Sequence, residues 1–438
     1  MASISSVVSV NIRANSRNPT RAGFGTPLIY TYHTVFAEKW RVYTSLAGMI
    51  ADGFTVTSSA YRLAQALTNQ NPSVKSWVVG RKDTAPTFSQ VLAITSAVEG
   101  AHVRFKVIDS AGVVQQVDYT IGAAATTSSV ATAVELLVEA MAGVDSAASA
   151  ADITVTSSVA GFKPYIYDLE NCGVHETTAD AGYDTELAAF ELLNNAWYFV
   201  LADSQSPANV AKIAAYVLPR TKLYFVATQS NLELAGTGTL GSDLKALANG
   251  RTVLIYGFNP HEFSGAAWVG VGAPQTPGEI TWANKQLTGV TAKDLTSTQQ
   301  TNLETDNINH YQEIAGLGAT RNGVVTSGEW IDVVHGTDAL TAAIQEAVWT
   351  VMANAGKIPF TDAGLDLIAS AILGAMKRFE GNAERPGLLL PGSSKVSMPL
   401  AADISASDKR LRRLTGVAFY AKFAGAVHAV DLVGTLEY

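Results

Sequence analysis

Residues 197–226 read WYFVLADSQSPANVAKIAAYVLPRTKLYFV, and this stretch decides the fold class. The apolar runs at 197–201 and 222–226 each predict a buried strand. Between them Pro207 predicts the start of a helix, because proline is tolerated in a first turn, where its missing N–H has no helical partner. A strand, a helix and a strand in this order are typical of a parallel sheet. We therefore expect an α/β core.

The same alternation extends in both directions from this stretch. Upstream, strands are predicted at 41–45 and 74–79, with a helix opened by Ser58 or Ser59 between them, and a further strand is predicted downstream at 252–256. Residues 84–182 interrupt the alternation with a low-charge block of predicted strands and one Ala-rich helix. We interpret this block as an inserted, β-rich domain.

After the core, the pattern predicts a hairpin at 324–326 and 329–333, which turns at Ser327-Gly328. Asp332 would end its second strand, and Thr337 or Asp338 would cap the helix that follows. Two amphipathic helices then begin the C-terminal part, the second capped by Thr361 or Asp362. Two final strands are predicted at 417–423 and 427–436.

Both ends of the chain read as strands. Near the N-terminus Val8, Val10 and Ile12 alternate with polar residues, and a linker at 15–27 follows them. This strand has no hairpin partner in the nearby sequence, so it must pair at long range, either in its own chain or in another subunit. At the other end one face of the last strand carries apolar residues, namely Val430, Leu432 and Leu436.

Composition excludes several classes of protein. The chain has 438 residues, with 38 acidic and 30 basic side chains and a net charge of −8, which disfavours a coat on nucleic acid or on an anionic membrane. Cys172 is the only cysteine, so no intrachain disulfide can form. No stretch approaches the ~20 apolar residues of a membrane span, and the first ten residues do not resemble a signal peptide. We expect neither a nucleic-acid partner nor membrane insertion.

No constellation of side chains predicts catalysis. The sequence GTGTLG at 236–241 matches the letters of a dinucleotide fingerprint, but no strand runs into it and only a short helix follows, so we interpret it as a loop. Asp332, His335 and Asp338 are close enough in sequence to be considered as three metal ligands. We prefer to explain Asp332 as the end of a strand and Asp338 as a helix cap. We expect no catalytic residue, no metal ion and no cofactor.

One local charge feature rises above the background: Lys409, Arg410, Arg412 and Arg413 lie within five positions. Such a run is most often a solvated helix turn. No aromatic side chains are interleaved with it, which disfavours single-stranded nucleic acid as its partner. If the cluster does bind a partner, an acidic protein surface suits it best.

Several separated blocks together resemble the tail sheath proteins of contractile-tailed bacteriophages. Each block is a weak signal by itself, but their order across most of the chain is specific. The blocks are residues 42–46 (VYTSL), 64–67 (AQAL), 70–72 (QNP), 78–81 (VVGR), 266–268 (AAW), 277–278 (PG), 281–282 (TW), 327–332 (SGEWID), 357–362 (KIPFTD) and 424–428 (AGAVH).

The resemblance implies a multi-domain α/β (mixed α+β) fold with extended arms that add strands to sheets of neighbouring subunits. Six parts are then expected: an N-terminal arm and linker at 1–27, the first part of the core at 28–83, an outward-facing inserted domain at 84–182, the second part of the core at 183–335, a C-terminal domain facing the tube at 336–425, and a C-terminal arm strand at 426–438.

The resemblance also implies a function and partners. The protein would be a structural subunit that polymerises into stacked, six-fold rings around a tail tube and contracts to drive the tube through the host envelope. Tube, baseplate and terminator proteins would be its partners, and the virion tail, assembled in the host cytoplasm, its location. Lys409 to Arg413 would contact the tube, with Lys377 and Arg378 as a weaker alternative. Two other readings stay open: the sheath of a phage-derived injection machine or bacteriocin, and an α/β nucleotide-binding enzyme.

Overall fold

The structure is a computed structural model of the 438-residue chain, and it describes residues 23–429. The predicted arm strands, with Val8, Val10 and Ile12 at one end and Val430, Leu432 and Leu436 at the other, lie outside the described residues. The described chain divides into two compact units. We call residues 23–274 with 285–329 the larger unit, and residues 275–284 with 330–429 the smaller unit.

The larger unit alternates strands and helices. Its strands are β1 (Pro27–Tyr32), β2 (Trp40–Tyr43), β3 (Trp77–Lys82), β4 (Ser89–Ile94), β5 (His102–Ile108), β6 (Val114–Thr120), β7 (Val144–Ser149), β8 (Asp152–Ser157), β9 (Tyr165–Glu170), β10 (Cys172–Glu176), β11 (Phe199–Ala202), β12 (Leu223–Thr228), β13 (Thr252–Tyr256), β14 (Asn309–Ile314) and β15 (Leu317–Arg321). Its helices are α1 (Leu46–Asp52), α2 (Ser59–Thr68), α3 (Thr127–Glu139), α4 (Tyr183–Leu193), α5 (Pro207–Val217), α6 (Asn231–Ala235), α7 (Leu240–Ala246), α8 (Ser264–Gly272) and α9 (Ser297–Thr305), with a 3-10 turn at Pro260–Glu262.

Eight strands form the main sheet, in the order β15-β14-β13-β12-β11-β1-β3-β2. The six inner strands are parallel, and the two edge strands, β2 and β15, run antiparallel to their neighbours. In β1, Ile29 faces Leu201 on one side and Val79 on the other. Parallel strands covered on both faces read as continuous apolar runs, which is why the sequence predicts β3, β11, β12 and β13. The inner strands β1 and β14 were not predicted. The predicted α/β fold class is confirmed.

Residues 84–182, which we call the insertion, contain β4–β10 and α3. They form a four-stranded sheet, β10-β4-β8-β7, and a three-stranded sheet, β6-β5-β9. A separate apolar core joins both sheets to α3, through side chains such as Phe105, Val130 and Val155. The chain enters the insertion directly after β3 and leaves it directly before α4. The limits of the six predicted parts stay predictions.

The smaller unit consists of α10 (Ile331–Asn354), α11 (Asp362–Lys377), β16 (Lys395–Ser397), α12 (Ala406–Leu411) and β17 (Ala418–Tyr420). The two long helices pack through the apolar residues that their periodicity predicts, among them Leu340, Ile344, Ile372 and Met376. Thr361 caps α11, since its side chain accepts a hydrogen bond from the Gly364 N–H at 3.2 Å. One face of the β16–β17 sheet packs on this core through Val396 and Phe419.

Two predictions for this region are wrong. The hairpin expected at 324–333 forms only at its turn, where the Val325 N–H donates to Glu329 O at 2.9 Å and the Gly328 N–H donates to Val325 O at 2.8 Å. Its second strand does not form, because residues 331–333 belong to the first turn of the 24-residue helix α10. Asp332 therefore does not end a strand, and Asp338 lies inside the helix rather than capping it. Residue 336, the predicted start of the C-terminal domain, lies within α10, and this limit stays a prediction. A Cβ at Gly336 would lie 2.6 Å from Leu388 Cδ1, so this glycine reflects close packing rather than a break in the helix.

The final strands also differ from expectation. β17 covers only Ala418–Tyr420 of the predicted 417–423, and Val427 to Ala429 are not in a strand.

No helix within residues 23–429 combines the length and apolar character needed to cross a membrane.

Candidate functional site

The carboxyl edge of the parallel sheet is the first place to look for chemistry. In doubly wound sheets, ligands bind outside the carboxyl ends of the strands, where the strand order reverses. Here that point lies between β1 and β11, because the chain builds β3 on one side of β1 and then β11 on the other. The insertion lies on this edge: Gly161 packs against the ring of Tyr32, which ends β1, and the backbone oxygen of Ile166 accepts a 3.4 Å hydrogen bond from Gln229 Nε2, just beyond β12.

One ion pair fixes both ends of the insertion to the core. The Lys82 ammonium, which is fully buried, donates to Glu186 Oε1 at 2.9 Å, to Thr84 O at 2.8 Å and to Ala181 O at 2.6 Å. The Glu186 carboxylate also accepts from the N–H groups of Asp83 and Thr84. Burial opposes its ionisation, but these hydrogen bonds and Lys82 outweigh burial and lower the pKa of Glu186.

A second buried ion pair lies at the end of β11. Glu176, the last residue of β10, pairs with Lys163, and their side chains are 4% and 1% exposed. Glu176 Oε1 accepts from Ser204 Oγ at 2.8 Å, and Oε2 accepts from the Gln205 N–H at 2.9 Å. An insertion carboxylate therefore occupies the connection between β11 and α5.

Asp203 lies beside this pair, immediately after β11. Tyr183 Oη donates to Asp203 Oδ1 at 2.6 Å, whereas Oδ2 has no hydrogen-bond partner among the described residues. Burial raises the pKa of Asp203 to about 6, although the hydrogen bond from Tyr183 favours the ionised form. A buried carboxylate in an incomplete network costs the fold free energy.

The glycine-rich loop at 236–241 cannot cradle a phosphate in this conformation. Glu233 Oε1 accepts from the Leu240 N–H at 3.1 Å, and a Cβ at Gly238 would lie 2.2 Å from the same oxygen. Burial raises the pKa of Glu233, and the amides of Leu240 and Gly241 oppose that rise. A side-chain carboxyl group thus fills the space that the fingerprint would leave for pyrophosphate. The sequence-based interpretation of this stretch as a loop agrees with this geometry.

A cavity of about 120 Å³ remains where the insertion meets this edge. Its lining includes the polar side chains of Lys163, Glu176, Gln205, Gln229 and Glu233, together with apolar surface. Within residues 23–429, no group of three or more histidine, cysteine, aspartate or glutamate side chains is arranged to hold a metal ion. Asp332, His335 and Asp338 all lie in the first half of α10, where His335 and Asp338 are buried.

The predicted basic cluster surrounds the end of α12. Ser405 caps this helix by accepting from the Asp408 N–H at 3.0 Å, and Arg412 ends it in the left-handed conformation at φ 53°. Arg410, Arg412 and Arg413 are exposed and Lys409 is half-buried. Among the described residues none of the four cations forms an ion pair. The alternative pair, Lys377 and Arg378, lies exposed at the end of α11.

The β16–β17 sheet has two strands and two outer edges that no other strand of residues 23–429 occupies. The pairing continues beyond these strands, where Leu389 bridges Phe423. The face opposite the helices carries exposed side chains, including Lys395 and the 56% exposed Tyr420. Unpaired edges of this kind accept additional strands unless they are blocked. The predicted arm strands themselves lie outside the described residues.

Sequence reasoning missed the two buried ion pairs. Lys82 and Glu186 are 104 residues apart in the sequence. Lys163 and Glu176 are 13 residues apart and lie on different elements. The available signal was chemical: Lys163 stands in the apolar context GFKPYIY, and a lysine in such a run requires a buried acceptor.

Comparison with known proteins bears on the smaller unit first. The family model described as "E217 tail sheath protein gp31-like, C-terminal domain" matches residues 331–436. This C-terminal domain belongs to the tail sheath proteins. The resemblance read from the sequence is thereby confirmed. The search of curated proteins found no match to this chain.

Solved structures extend the comparison to the fold of the whole chain. The contracted sheath of an extracellular contractile injection system, PVC, is 8% identical, with a TM-score of 0.56 over 98% of this chain and 96% of that chain. The contracted helical sheath of the anti-feeding prophage (AFP) is 10% identical, with a TM-score of 0.55 over 100% of both chains. The chain therefore has the fold of contractile sheath subunits.

Proposed function

We propose that this sheath protein polymerises around the tail tube of a contractile phage and contracts to drive the tube through the host envelope. The observation that carries the proposal is the tail sheath domain at 331–436, joined to a chain with the sheath fold. The carboxyl edge of the sheet, where an α/β enzyme would bind its substrate, is covered by the insertion. Both observations support a structural role.

Strand exchange between subunits would hold this polymer together. The two outer edges of the β16–β17 sheet offer unpaired backbone groups, and the arm strands at 8–12 and 430–436 have the alternating pattern that such an edge requires. Each backbone hydrogen bond of an added strand contributes a net ~0.5 to 1.5 kcal/mol. The linker at 15–27 would let neighbouring bodies turn while the strands stay paired.

The polymer itself would be an open helix. Contacts between unlike surfaces that do not close into a ring generate helical assemblies, here stacked six-fold rings. Contraction would release a small free-energy difference per subunit, summed over many copies of a metastable lattice. Tail tube, baseplate and terminator proteins would be its partners, and ejection of the genome from the virion its result.

A phage-derived injection machine is the second candidate. It is favoured by one observation, the similarity in fold to the sheaths of AFP and PVC. The assembly physics of the two candidates is the same, so the genes adjacent to this one decide between them. A nucleotide-binding enzyme is disfavoured because Glu233 fills the glycine-rich loop.

Arm deletion tests the proposal. A variant lacking residues 1–20, and one truncated after Phe423, should each fold as a monomer yet fail to form tubes in negative-stain electron microscopy. A matched deletion of residues 1–6 keeps Val8, Val10 and Ile12 and should still polymerise. Normal tubes from either of the longer deletions would refute the assignment of the arms.

A further inference from the structure

The Glu176 carboxylate is bound as a ligand would be. It receives one hydrogen bond from a hydroxyl group, one from a backbone amide and one from an ammonium group: Ser204 Oγ at 2.8 Å, Gln205 N at 2.9 Å and Lys163 Nζ at 2.5 Å. Two of these donors belong to the core and one to the insertion. Hydrogen bonds from a charged group and from a positioned amide are the interactions that proteins use to bind small carboxylates.

The core holds its two donors in place through α5. Asn209, in the first turn of this 11-residue helix, donates to Ser204 Oγ at 2.9 Å and to Ser206 Oγ at 3.0 Å. Ser206 caps the helix by accepting from the Asn209 N–H. Ser204, Ser206 and Asn209 are fully buried, so their positions are fixed by packing as well as by hydrogen bonds.

The place of these donors in the fold is informative. They lie on the connection that follows β11, next to the point at which the strand order reverses, where doubly wound sheets bind their ligands. A negative group directly before α5 is also favoured by the positive end of the helix dipole. In this chain the group found there is a side chain of the insertion.

We propose that Ser204, Gln205 and Lys163 form a carboxylate-binding site in which Glu176 is a built-in ligand. With the side chain of Glu176 shortened to alanine, the site binds a free small monocarboxylate. The atoms removed from glutamate in this substitution, a CH2 group and a carboxylate, are those of acetate less one hydrogen. The 120 Å³ cavity lined by Lys163, Glu176 and Gln205 provides room for the ion beside the site.

The consequence is that the insertion docks on the core by mimicking a ligand. In the intact protein the carboxylate of Glu176 is held by the chain itself, so a dissolved ion competes with it poorly. The inference concerns the isolated subunit and does not depend on polymerisation.

Chemical rescue tests the site. Thermal unfolding of the Glu176→Ala variant is followed at pH 7 with added sodium acetate, with sodium chloride at equal ionic strength and with acetamide, which has nearly the same shape but no charge. Acetate should raise the unfolding midpoint of the variant in a saturable manner, and chloride and acetamide should not. The midpoint of the unaltered protein should respond equally to acetate and chloride.

Two further variants identify the donors. Glu176→Gln keeps the site filled and should lose stability without any rescue by acetate. Combining Lys163→Met with Glu176→Ala removes the cation and should abolish the rescue seen in Glu176→Ala. If Glu176→Ala is recovered only unfolded, its refolding yield in acetate against acetamide becomes the readout. Equal effects of acetate and chloride on Glu176→Ala, or of acetate and acetamide on its refolding yield, would overturn the proposal.

Discussion

His33 shows how a single buried side chain makes the stability of this protein depend on pH. It follows β1 and packs edge-on against Phe36 and Phe54, with ring centroids 4.3 and 4.9 Å away. Neither ring nitrogen has a hydrogen-bond partner among the described residues. Burial, together with the charges of Arg81 and Arg41, lowers the pKa of His33 to about 4. Because the unfolded chain binds the proton more tightly, the free energy of unfolding falls as pH drops from about 6.5 towards 4.

Replacing His33 with phenylalanine should therefore stabilise the protein. His33→Phe removes two unsatisfied nitrogens, each of which costs ~1–3 kcal/mol when buried, and completes an aromatic cluster. Urea unfolding should show a gain of roughly 1–3 kcal/mol at pH 7.5 and a larger gain at pH 5. His102→Phe, at a half-exposed position paired with Asp118, serves as the control and should show no gain. An equal gain of His33→Phe at both pH values would contradict the assignment.

Asp203 has the opposite dependence on pH. Its pKa of about 6 lies above the value in the unfolded chain, so the folded state binds the proton more tightly. The free energy of unfolding therefore increases as pH falls through 6 towards 4. Asp203→Asn keeps an acceptor for Tyr183 and removes the buried charge. The variant should be more stable by roughly 2–3 kcal/mol at pH 7.5, with the gain vanishing near pH 4.

The control for this prediction is Asp109, which is equally buried but accepts hydrogen bonds from the N–H groups of Ala111 and Val113. Asp109→Asn weakens these contacts and should destabilise the protein at pH 7.5. Denaturant titrations of both variants across pH 4–8 provide the measurement. A destabilised Asp203→Asn at pH 7.5 would show that the carboxylate charge is used by the fold.

At the scale of elements, the sequence predicts what local patterns determine. The strands β3, β11, β12 and β13 were predicted from apolar runs, which arise because both faces of the sheet are covered and which are visible without knowing the neighbours. The central strand β1 was not predicted. The start of α10 was mispredicted because Thr337 and Asp338 are residue types that favour helix caps, although both lie inside the helix. The pair Lys163–Glu176 was missed because Ser204 and Gln205, which complete its setting, come from another strand end.

Two helical glycines should respond to alanine with opposite signs. In α10 a Cβ on Gly336 would approach three atoms of the buried Leu388 side chain at 2.6–3.2 Å. Gly336→Ala should therefore destabilise by about 1–3 kcal/mol, despite the better helix propensity of alanine. Gly374 in α11 is exposed and a Cβ there would meet nothing within 4 Å, so Gly374→Ala should stabilise by ~0.5–1 kcal/mol. Thermal unfolding of the two variants and of the unaltered protein tests this prediction. A Gly336→Ala variant as stable as the unaltered protein would mean that the Leu388 side chain can move aside.

At the scale of the whole molecule, the covered carboxyl edge of the main sheet and the open edges of the β16–β17 sheet support the same interpretation. Where many α/β proteins bind a substrate, this chain binds part of itself, through Glu176 and Glu233. What stays available for partners is the outer surface, including unpaired strand edges and the basic cluster at the end of α12. These surfaces are the ones that the proposed contacts between copies and with a tube would use.

Charge reversal tests the proposed tube contact. Lys409, Arg410, Arg412 and Arg413 form no ion pair among the described residues, so changing all four to glutamate should leave the fold intact. Screened charge pairs hold a partner reversibly, which suits a contact that must let go during contraction. The variant should no longer assemble around purified tubes, while tube-free polymers persist in electron micrographs, and raised salt should weaken tube assembly of the unaltered protein. Lys75→Glu with Lys357→Glu, also exposed, is the control and should assemble normally. If Lys377→Glu with Arg378→Glu blocks assembly and the fourfold reversal does not, the contact belongs to the end of α11 instead.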